Sequence, residues 1–310
     1  MRIVITEFMD ERAVEQLAAK HDVLYEPSLQ KDTAKLLVEA ANCEAIIVRN
    51  LTQVRGDLLT ALASSGRCKV VGRLGVGLDN IDVPGCEAKG MQVIPATGAN
   101  ALSVAEYVIC SAMVLLRGAF ASTEHVAQGK WPRAALSNGR ETAGKTLGII
   151  GYGSIGQLTA KLAKGLGMHV VAYDAMLKAD AAVFAQTGVE CKSLDEVITN
   201  SDVVTLHVPL VDGTRGLFNA ARIASMKAGA VLINTSRGHI VDAAAVAHAL
   251  KHGSLGGAAL DVFDVEPMAA APEFEGCPNL ILSPHVSGVS AESNTRVSSL
   301  IAEKVLEALA

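Results

Sequence analysis

The sequence predicts an α/β protein of two domains, each a parallel sheet covered by helices. Three observations carry that expectation. Short β-branched runs alternate with amphipathic, Ala-rich stretches along nearly the whole chain, the pattern of β-α-β units. The 310 residues exceed the usual size of one domain. Half of the residues are apolar but only 4% are aromatic. The core must therefore be built from Ala, Val, Leu and Ile, which suits strands buried on both faces.

In chain order, the first strands are expected at Ile3–Thr6, Val23–Tyr25, Ala45–Val48, Lys69–Gly72 and Gln92–Ile94. Helical periodicity near Glu11–Lys20, Thr33–Ala41 and Gly56–Ala63 separates the first four. A long helix is expected from Ala101 to about Gln128. A second alternation then runs through Thr146–Ile150, His169–Tyr173, Val203–Leu206, Val231–Asn234, Ala258–Asp261 and Leu280–Leu282. A final helix spans Ala291 to Ala310. Pro95 and Gly98 mark the boundary between the two blocks. If the final helix returns to the first block, that domain is discontinuous. The division is then residues 1–98 with 287–310, against 99–286.

A net charge of −5 without long runs of one sign argues against nucleic acid or an anionic membrane as partner. No apolar run approaches the roughly 18–20 residues that span a bilayer. The opening MRIVITEFMDER lacks the apolar core of a secretory signal. The six cysteines, Cys43, Cys68, Cys86, Cys110, Cys191 and Cys277, include no C-x-x-C pair. They read as reduced core thiols, with no metal site, in a cytoplasmic protein.

The strongest local signal is TLGIIGYGSIG, Thr146 to Gly156. Gly151, Gly153 and Gly156 form G-x-G-x-x-G between an apolar strand and a helical run. In that pattern the first glycine makes the tight turn, the second admits a pyrophosphate, and the third lets helix and strand close up. The helix start offers free N–H groups and a favourable dipole. The next strand, HVVAYD, ends in Asp174, at the distance expected for a ribose-binding acid. A carboxylate there repels a 2′-phosphate, and no Arg follows at Ala175, Met176 or Leu177. NAD is expected over NADP.

A glycine loop binds a cofactor without naming a reaction. Arg237 in LINTSRGHIVD, Glu266 in ALDVFDVEP and His285 in LILSPHVSG each follow a predicted strand, where open α/β sheets present ligands. Hydride transfer to a 2-keto acid needs a cation for the carboxylate, a proton donor for the developing alkoxide, and a group that tunes the donor. Arg supplies a bidentate fork, and His titrates near neutral pH. A carboxylate on the second ring nitrogen sets the tautomer. Singly, each has an ordinary reading: a surface cation, a solvated loop acid, one of eight histidines.

Together with IIVRN (Ile46–Asn50), VVGRLGVGLDNID (Val70–Asp82), NALSVAEY (Asn100–Tyr107) and HVPL (His207–Leu210), these stretches resemble the D-isomer-specific 2-hydroxyacid dehydrogenases. The resemblance is to the phosphoglycerate-dehydrogenase-like branch and spans essentially the whole chain. It implies two Rossmann-like domains with NAD in the cleft between them, and a homodimer formed through the helix beginning near Asn100. It implies Arg237, Glu266 and His285 as catalytic residues. It implies that Ser154 and Ile155 donate N–H groups to the pyrophosphate. Pro209, Thr235 and Asp261 should line the cofactor groove, with His207, Val208, Thr214, Ser236 and Gly288 completing the cofactor set. The backbone of Gly75, Val76 and Gly77 should meet the substrate carboxylate, with Arg49 and Asn50 facing the substrate.

The substrate is expected to be a small, dianionic 2-hydroxy or 2-keto acid. EFMDERAVEQL, VLYEPSL and the WPR at Trp131–Arg133 are similar to the sulfolactate dehydrogenases of this branch. Phosphoglycerate and glycerate/hydroxypyruvate stay open. The end at Ala310, without the regulatory domains of long phosphoglycerate dehydrogenases, disfavours serine-regulated phosphoglycerate oxidation. Two alternatives are a dinucleotide-sensing, corepressor-like binding protein and a formate dehydrogenase. The latter branch places Gln where Glu266 stands.

Overall fold

Every paired strand in the computed structural model, which describes residues 1–310, runs parallel to its neighbours. The chain forms two units, Met1–Asn100 with Val289–Ala310, and Ala101–Gly288.

The first unit holds β1 (Arg2–Ile5), β2 (Asp22–Tyr25), β3 (Ala45–Val48), β4 (Val70–Arg73) and β5 (Gln92–Pro95) in the order β2-β1-β3-β4-β5. Ile3, Val4, Ile5 and Ala45–Val48 are wholly buried, as strands covered on both faces must be. Asp10, Asp32 and Asp82 cap the helices Glu11–Ala18, Thr33–Ala40 and Val83–Ala88 through their side chains. Periodicity does not reveal the last of these helices, because six residues are too few to show a period, although Asp82 and Pro84 are ordinary start signals. The C-terminal helix, Ala291–Leu309, starts at a reciprocal Ser290–Ser293 cap and buries Val297, Ile301, Ala302 and Val305 against β1, β3 and β4.

The second unit holds β6 (Thr146–Ile150), β7 (His169–Tyr173), β8 (Glu190–Cys191), β9 (Val203–Leu206), β10 (Ala230–Asn234), β11 (Leu255–Leu260) and β12 (Leu280–Leu282). Their order is β12-β11-β10-β9-β6-β7-β8. The two-residue edge strand β8 carries no alternation to read. β11 begins three residues before the expected Ala258, because Leu255-Gly256-Gly257 lacks the β-branched residues that announce a strand. The long helix ends at Arg117, not near Gln128. Gly118 takes a left-handed conformation, φ +68°, and the chain continues as a 3₁₀ turn and a short helix, Thr123–Ala127. Val104, Val108, Ala112 and Leu115 of the long helix are buried with Leu147 and Ile149 of β6. No single helix is long and apolar enough to cross a membrane.

Cys43, Cys68 and Cys86 are buried, Cys191 and Cys277 partly so, and Cys110 is exposed, so the core-thiol expectation holds for half of them. The two sheet orders matter for function. Each reverses direction once, between β1 and β3 in the first unit and between β6 and β9 in the second. Such switch points open a crevice beyond the carboxyl ends of the strands.

Candidate active site

At the switch point of the second unit the chain leaves β6 at Gly151, φ +97°. A Cβ on Gly151 would lie 2.5 Å from the His207 carbonyl oxygen, and one on Gly156 would lie 2.3 Å from the Gly151 carbonyl oxygen. Gly151 is therefore required by the close approach of the chain leaving β9, and Gly156 by the close passage of the helix Ser154–Gly165 past the end of β6. Gly153 differs, since a Cβ there would meet nothing within 4 Å. No side chain caps this helix at Gly153, so its first N–H groups point outward without a protein acceptor from the cap. Asp174, just past β7, accepts N–H bonds from Tyr152 at 2.7 Å and Met176 at 2.8 Å. The expected ribose ligand therefore also ties down the glycine loop.

Across the switch point, His207 follows β9. Its Nε2 lies 3.2 Å from Thr205 Oγ1, and its buried Nδ1 has no partner. Burial pushes the imidazole down to about 3, so the ring is neutral. Thr214 locks the following turn through Pro209 O at 2.6 Å and the Val211 N–H at 2.9 Å. Thr235 Oγ1 is buried and unpartnered. Orphaned polar atoms of this kind are rare in a finished interior. With the open face at Gly153 and the uncapped helix start, they form a donor set suited to a dinucleotide. The residues fit NAD.

Three neighbouring strand ends carry the other candidates. After β10, Asn234 folds the chain back, its Nδ2 donating to Arg237 O at 2.9 Å and its Oδ1 accepting from Ser236 N at 3.0 Å. Ser236 Oγ donates to Leu206 O at 2.7 Å, and Arg237 Nη1 donates to Ser236 O at 2.6 Å. A Cβ on Gly238 would sit 2.0 Å from the Phe263 carbonyl carbon. The Arg237 loop is thus pressed onto the loop after β11, where Glu266 Oε1 accepts the Phe263 N–H at 2.9 Å. After β12, His285 adopts φ +54°, with its N–H 2.8 Å from Asp261 O. Its Nδ1 meets Glu266 Oε2 at 2.6 Å. The imidazole stays half exposed, and so offers its second nitrogen outward.

Asp261, read from the resemblance as lining the cofactor groove, is wholly buried. Its carboxylate accepts Ser283 Oγ at 2.6 Å and the N–H groups of Val286 and Ser287 at 2.9 and 2.8 Å. It shapes the His285 loop, with Tyr107 O–H joining at Ser283 Oγ, 2.6 Å away. Val208 and Gly288 are partly buried, and Pro209 is exposed.

In the first unit, Arg49 and Asn50 follow β3, beside the switch point. Arg49 Nη2 donates to Asn294 Oδ1 at 2.8 Å, and the guanidinium lies 5.8 Å from the Phe8 ring centre. Burial lowers its pKa, with Glu7 opposing. Asn50 is exposed, as is Val76 in the glycine loop. The Arg73 guanidinium occupies the place a Gly75 Cβ would need and donates to Leu74 O at 2.9 Å, so Arg73 braces that loop. Arg133 is exposed and lines a cavity of about 430 Å³ with Trp131 and Arg117. Two residues near Arg49 escaped the sequence reading: Glu7, just past β1, and Asn80, both buried and both bonded to the backbone around Arg49. The only signal for Glu7 was a carboxylate at the end of an apolar strand.

Residues 109–287 match the family model for the D-isomer-specific 2-hydroxyacid dehydrogenase NAD-binding domain. The chain is 46% identical over 307 residues to the (S)-sulfolactate dehydrogenase of Chromohalobacter salexigens, covering 99% of this chain and 98% of the relative. It is 35% identical to the hydroxypyruvate reductase of Thermotoga maritima, over 99% and 98% of the two chains. Among solved structures, a glyoxylate reductase from Paecilomyes thermophila superposes with a TM-score of 0.87 at 25% identity, covering 100% of this chain and 95% of that one. The named relatives are oxidoreductases and lend the binding-protein alternative no support. The chain belongs to the D-isomer-specific 2-hydroxyacid dehydrogenase family and is an NAD-dependent oxidoreductase acting on small 2-hydroxy and 2-keto acids.

Proposed function

We propose that the protein interconverts (S)-sulfolactate and sulfopyruvate, with Arg237, Glu266 and His285 as its catalytic residues. The observation that carries the substrate choice is Arg49, a cation fixed by Asn294 at the carboxyl end of β3. One Arg suffices for the carboxylate of any 2-keto acid, and a second serves a substrate with a second anion. The similarity to a sulfolactate dehydrogenase points the same way. Handedness agrees as well. Sulfur on C3 outranks the carboxylate in naming, so (S)-sulfolactate has the same arrangement at C2 as a D-hydroxy acid.

Bound NAD supplies the hydride acceptor for oxidation and, reduced, the donor for reduction. Gly153, Ser154 and Ile155 would hold its phosphates, Asp174 its adenosine ribose, and His207 and Thr235 its remaining polar groups. Arg237 pairs with the substrate carboxylate as a bidentate clamp. Glu266 accepts from His285 Nδ1, which places the ring proton there and leaves Nε2 as the base. In oxidation Nε2 takes the C2 hydroxyl proton, and in reduction it returns it. The Glu266 carboxylate stabilises the imidazolium formed in between.

A homodimer in the cytoplasm completes the reading. Leu102, Met113, Phe120, Val126 and Trp131 expose between 40% and 77% of their surface along one stretch of chain, apolar area that a second copy would cover. Light scattering after gel filtration tests the dimer.

The substrate test is NADH oxidation across sulfopyruvate, phosphohydroxypyruvate, hydroxypyruvate, glyoxylate and pyruvate. A charge-assisted contact contributes about 1.5–3 kcal/mol, so sulfopyruvate should exceed pyruvate roughly ten- to a hundredfold in kcat/KM. Arg49→Ala should erase that margin and spare pyruvate turnover. Pyruvate or glyoxylate as the best substrate of the unmodified enzyme overturns the proposal.

A further inference from the structure

We propose that Glu7 and Asn80 form a clasp that positions Arg49 and Asn50 for substrate, which makes Glu7 a positioning residue for the reaction; this rests on the substrate role given to Arg49 above. Glu7 is 3% exposed and stands just past β1. Its carboxylate accepts four consecutive backbone N–H groups of the loop after β3. Oε1 takes Arg49 N at 2.9 Å and Thr52 N at 2.9 Å. Oε2 takes Asn50 N at 3.3 Å and Leu51 N at 3.0 Å.

Asn80 completes the loop from the other side. Its Nδ2 donates to Arg49 O at 3.1 Å and Thr52 O at 2.7 Å. Thr6 Oγ1 and Thr52 Oγ1 are 2.7 Å apart. The first four residues of the loop thus have every N–H on one carboxylate and their two outer carbonyls on one amide. All of these groups are provided by residues at least 28 positions away in sequence. A connection whose only task is to join a strand to a helix does not need a buried carboxylate, which is costly to bury unless its lone pairs are filled. Of the four side chains only that of Thr52 is bonded within the clasp; those of Arg49, Asn50 and the exposed Leu51 lie outside it, and Arg49 and Asn50 are the two polar ones, at the sheet's switch point. Asn80 also lies three residues after Gly77, so the clasp ties the Arg49 loop to the Gly75–Gly77 loop. Both loops expected to meet substrate then move as one body, the supporting arrangement that precise sites require.

Glu7→Gln keeps shape and size but turns one oxygen into an NH₂ facing N–H donors, so half of the clasp is lost. The experiment measures kcat and KM for sulfopyruvate and the NADH Kd in the wild type, Glu7→Gln, Arg49→Ala and the double variant. Glu7→Gln should raise KM at least about tenfold with kcat and NADH Kd within twofold of the wild type. In the double variant Glu7→Gln should raise KM by clearly less than it does in the wild type, because the Arg49 side chain is no longer there to misplace and only Asn50 and the neighbouring loop still depend on the clasp. Glu7→Asp, which keeps the carboxylate, should recover part of the loss. A general structural defect would instead multiply with Arg49→Ala and lower kcat. Either that result, or a wild-type KM for Glu7→Gln beside a raised KM for Arg49→Ala, overturns the clasp alone. A wild-type KM for Arg49→Ala overturns the substrate role of Arg49 and the clasp with it. Should Glu7→Gln fail to fold, Asn80→Ala frees the carbonyls of the same loop and carries the same expectations.

Discussion

The three glycines of the dinucleotide loop should separate cleanly into two that the fold needs and one that only the cofactor needs. Alanine at Gly156 forces a methyl to 2.3 Å from the Gly151 carbonyl oxygen, and alanine at Gly151 forces one to 2.5 Å from the His207 carbonyl oxygen. Backbone cannot yield as a flexible side chain can, so overpacking of about 1–3 kcal/mol is expected at each. Gly151, at φ +97°, adds a backbone cost of roughly 1–2 kcal/mol for any L-residue. In a unit of this size each kcal/mol lowers Tm by about 2–4 °C. Gly153, at φ −78° with nothing within 4 Å, has an ordinary conformation and open space. Gly153→Ala costs only the small cap preference of glycine over alanine, below about 1 kcal/mol. The added methyl stands where a phosphate would approach the helix N–H groups. Displacing one charge-assisted bond costs about 1.5–3 kcal/mol, a ten- to hundredfold weaker Kd. Thermal melts and NADH fluorescence titrations of the three variants decide the matter. Gly153→Ala should melt near the wild type and bind NADH poorly, while Gly156→Ala and Gly151→Ala should melt several degrees lower. If Gly153→Ala binds NADH within twofold of the wild type, no phosphate meets this loop and the cofactor placement fails.

Other outcomes are as specific. His285→Ala should lose about a hundredfold or more in kcat with NADH affinity intact; near-normal turnover would exclude it as the base. Glu266→Gln removes the carboxylate that fixes the tautomer of the His285 ring, so kcat should fall about tenfold or more, and an unchanged kcat would remove Glu266 from the proton path. The wild type should prefer NAD over NADP at least about tenfold, roughly 1.4 kcal/mol. Asp174→Ala should narrow that margin and also lower Tm, because Tyr152 and Met176 lose their N–H acceptor. His207, held near 3 by burial, stays neutral in the folded chain while an unfolded His protonates below about 6.5. The unfolded state then binds the extra proton, so this group's contribution is intact above about 6.5 and is lost as pH falls, by at most about 2 kcal/mol at pH 5. Urea unfolding of the wild type and His207→Gln at pH 7 and pH 5 should show the variant losing less; equal losses would contradict the burial.

Much of the molecule was legible because its determinants are local. A buried parallel strand is a short apolar run, and ten of the twelve strands were found within one or two residues of their ends. G-x-G-x-x-G with Asp174 spans one β-α-β unit, and Arg237, Glu266 and His285 each sit just beyond a strand whose carboxyl end must face the ligand. The rest depended on partners that no local pattern names. Several acids precede His285, with Asp261, Asp264 and Glu266 inside one stretch of six residues, and only the packed loops decide that Glu266 takes its Nδ1 while Asp261 takes the backbone of the His285 loop. Asp174 reads as a ribose ligand from its spacing, but its bond to Tyr152 exists because β6 and β7 are neighbours. Arg73 and Arg49 are equivalent as letters; one folds back over its own loop and the other is held out by Asn294, 245 residues away. Glu7 meets the Arg49 loop 42 to 45 positions later. Periodicity and motif spacing report on a chain's own next few turns. Which buried polar group finds which partner is settled only when the sheet order brings distant strand ends together, since an unpaired buried carboxylate or amide is too costly to keep.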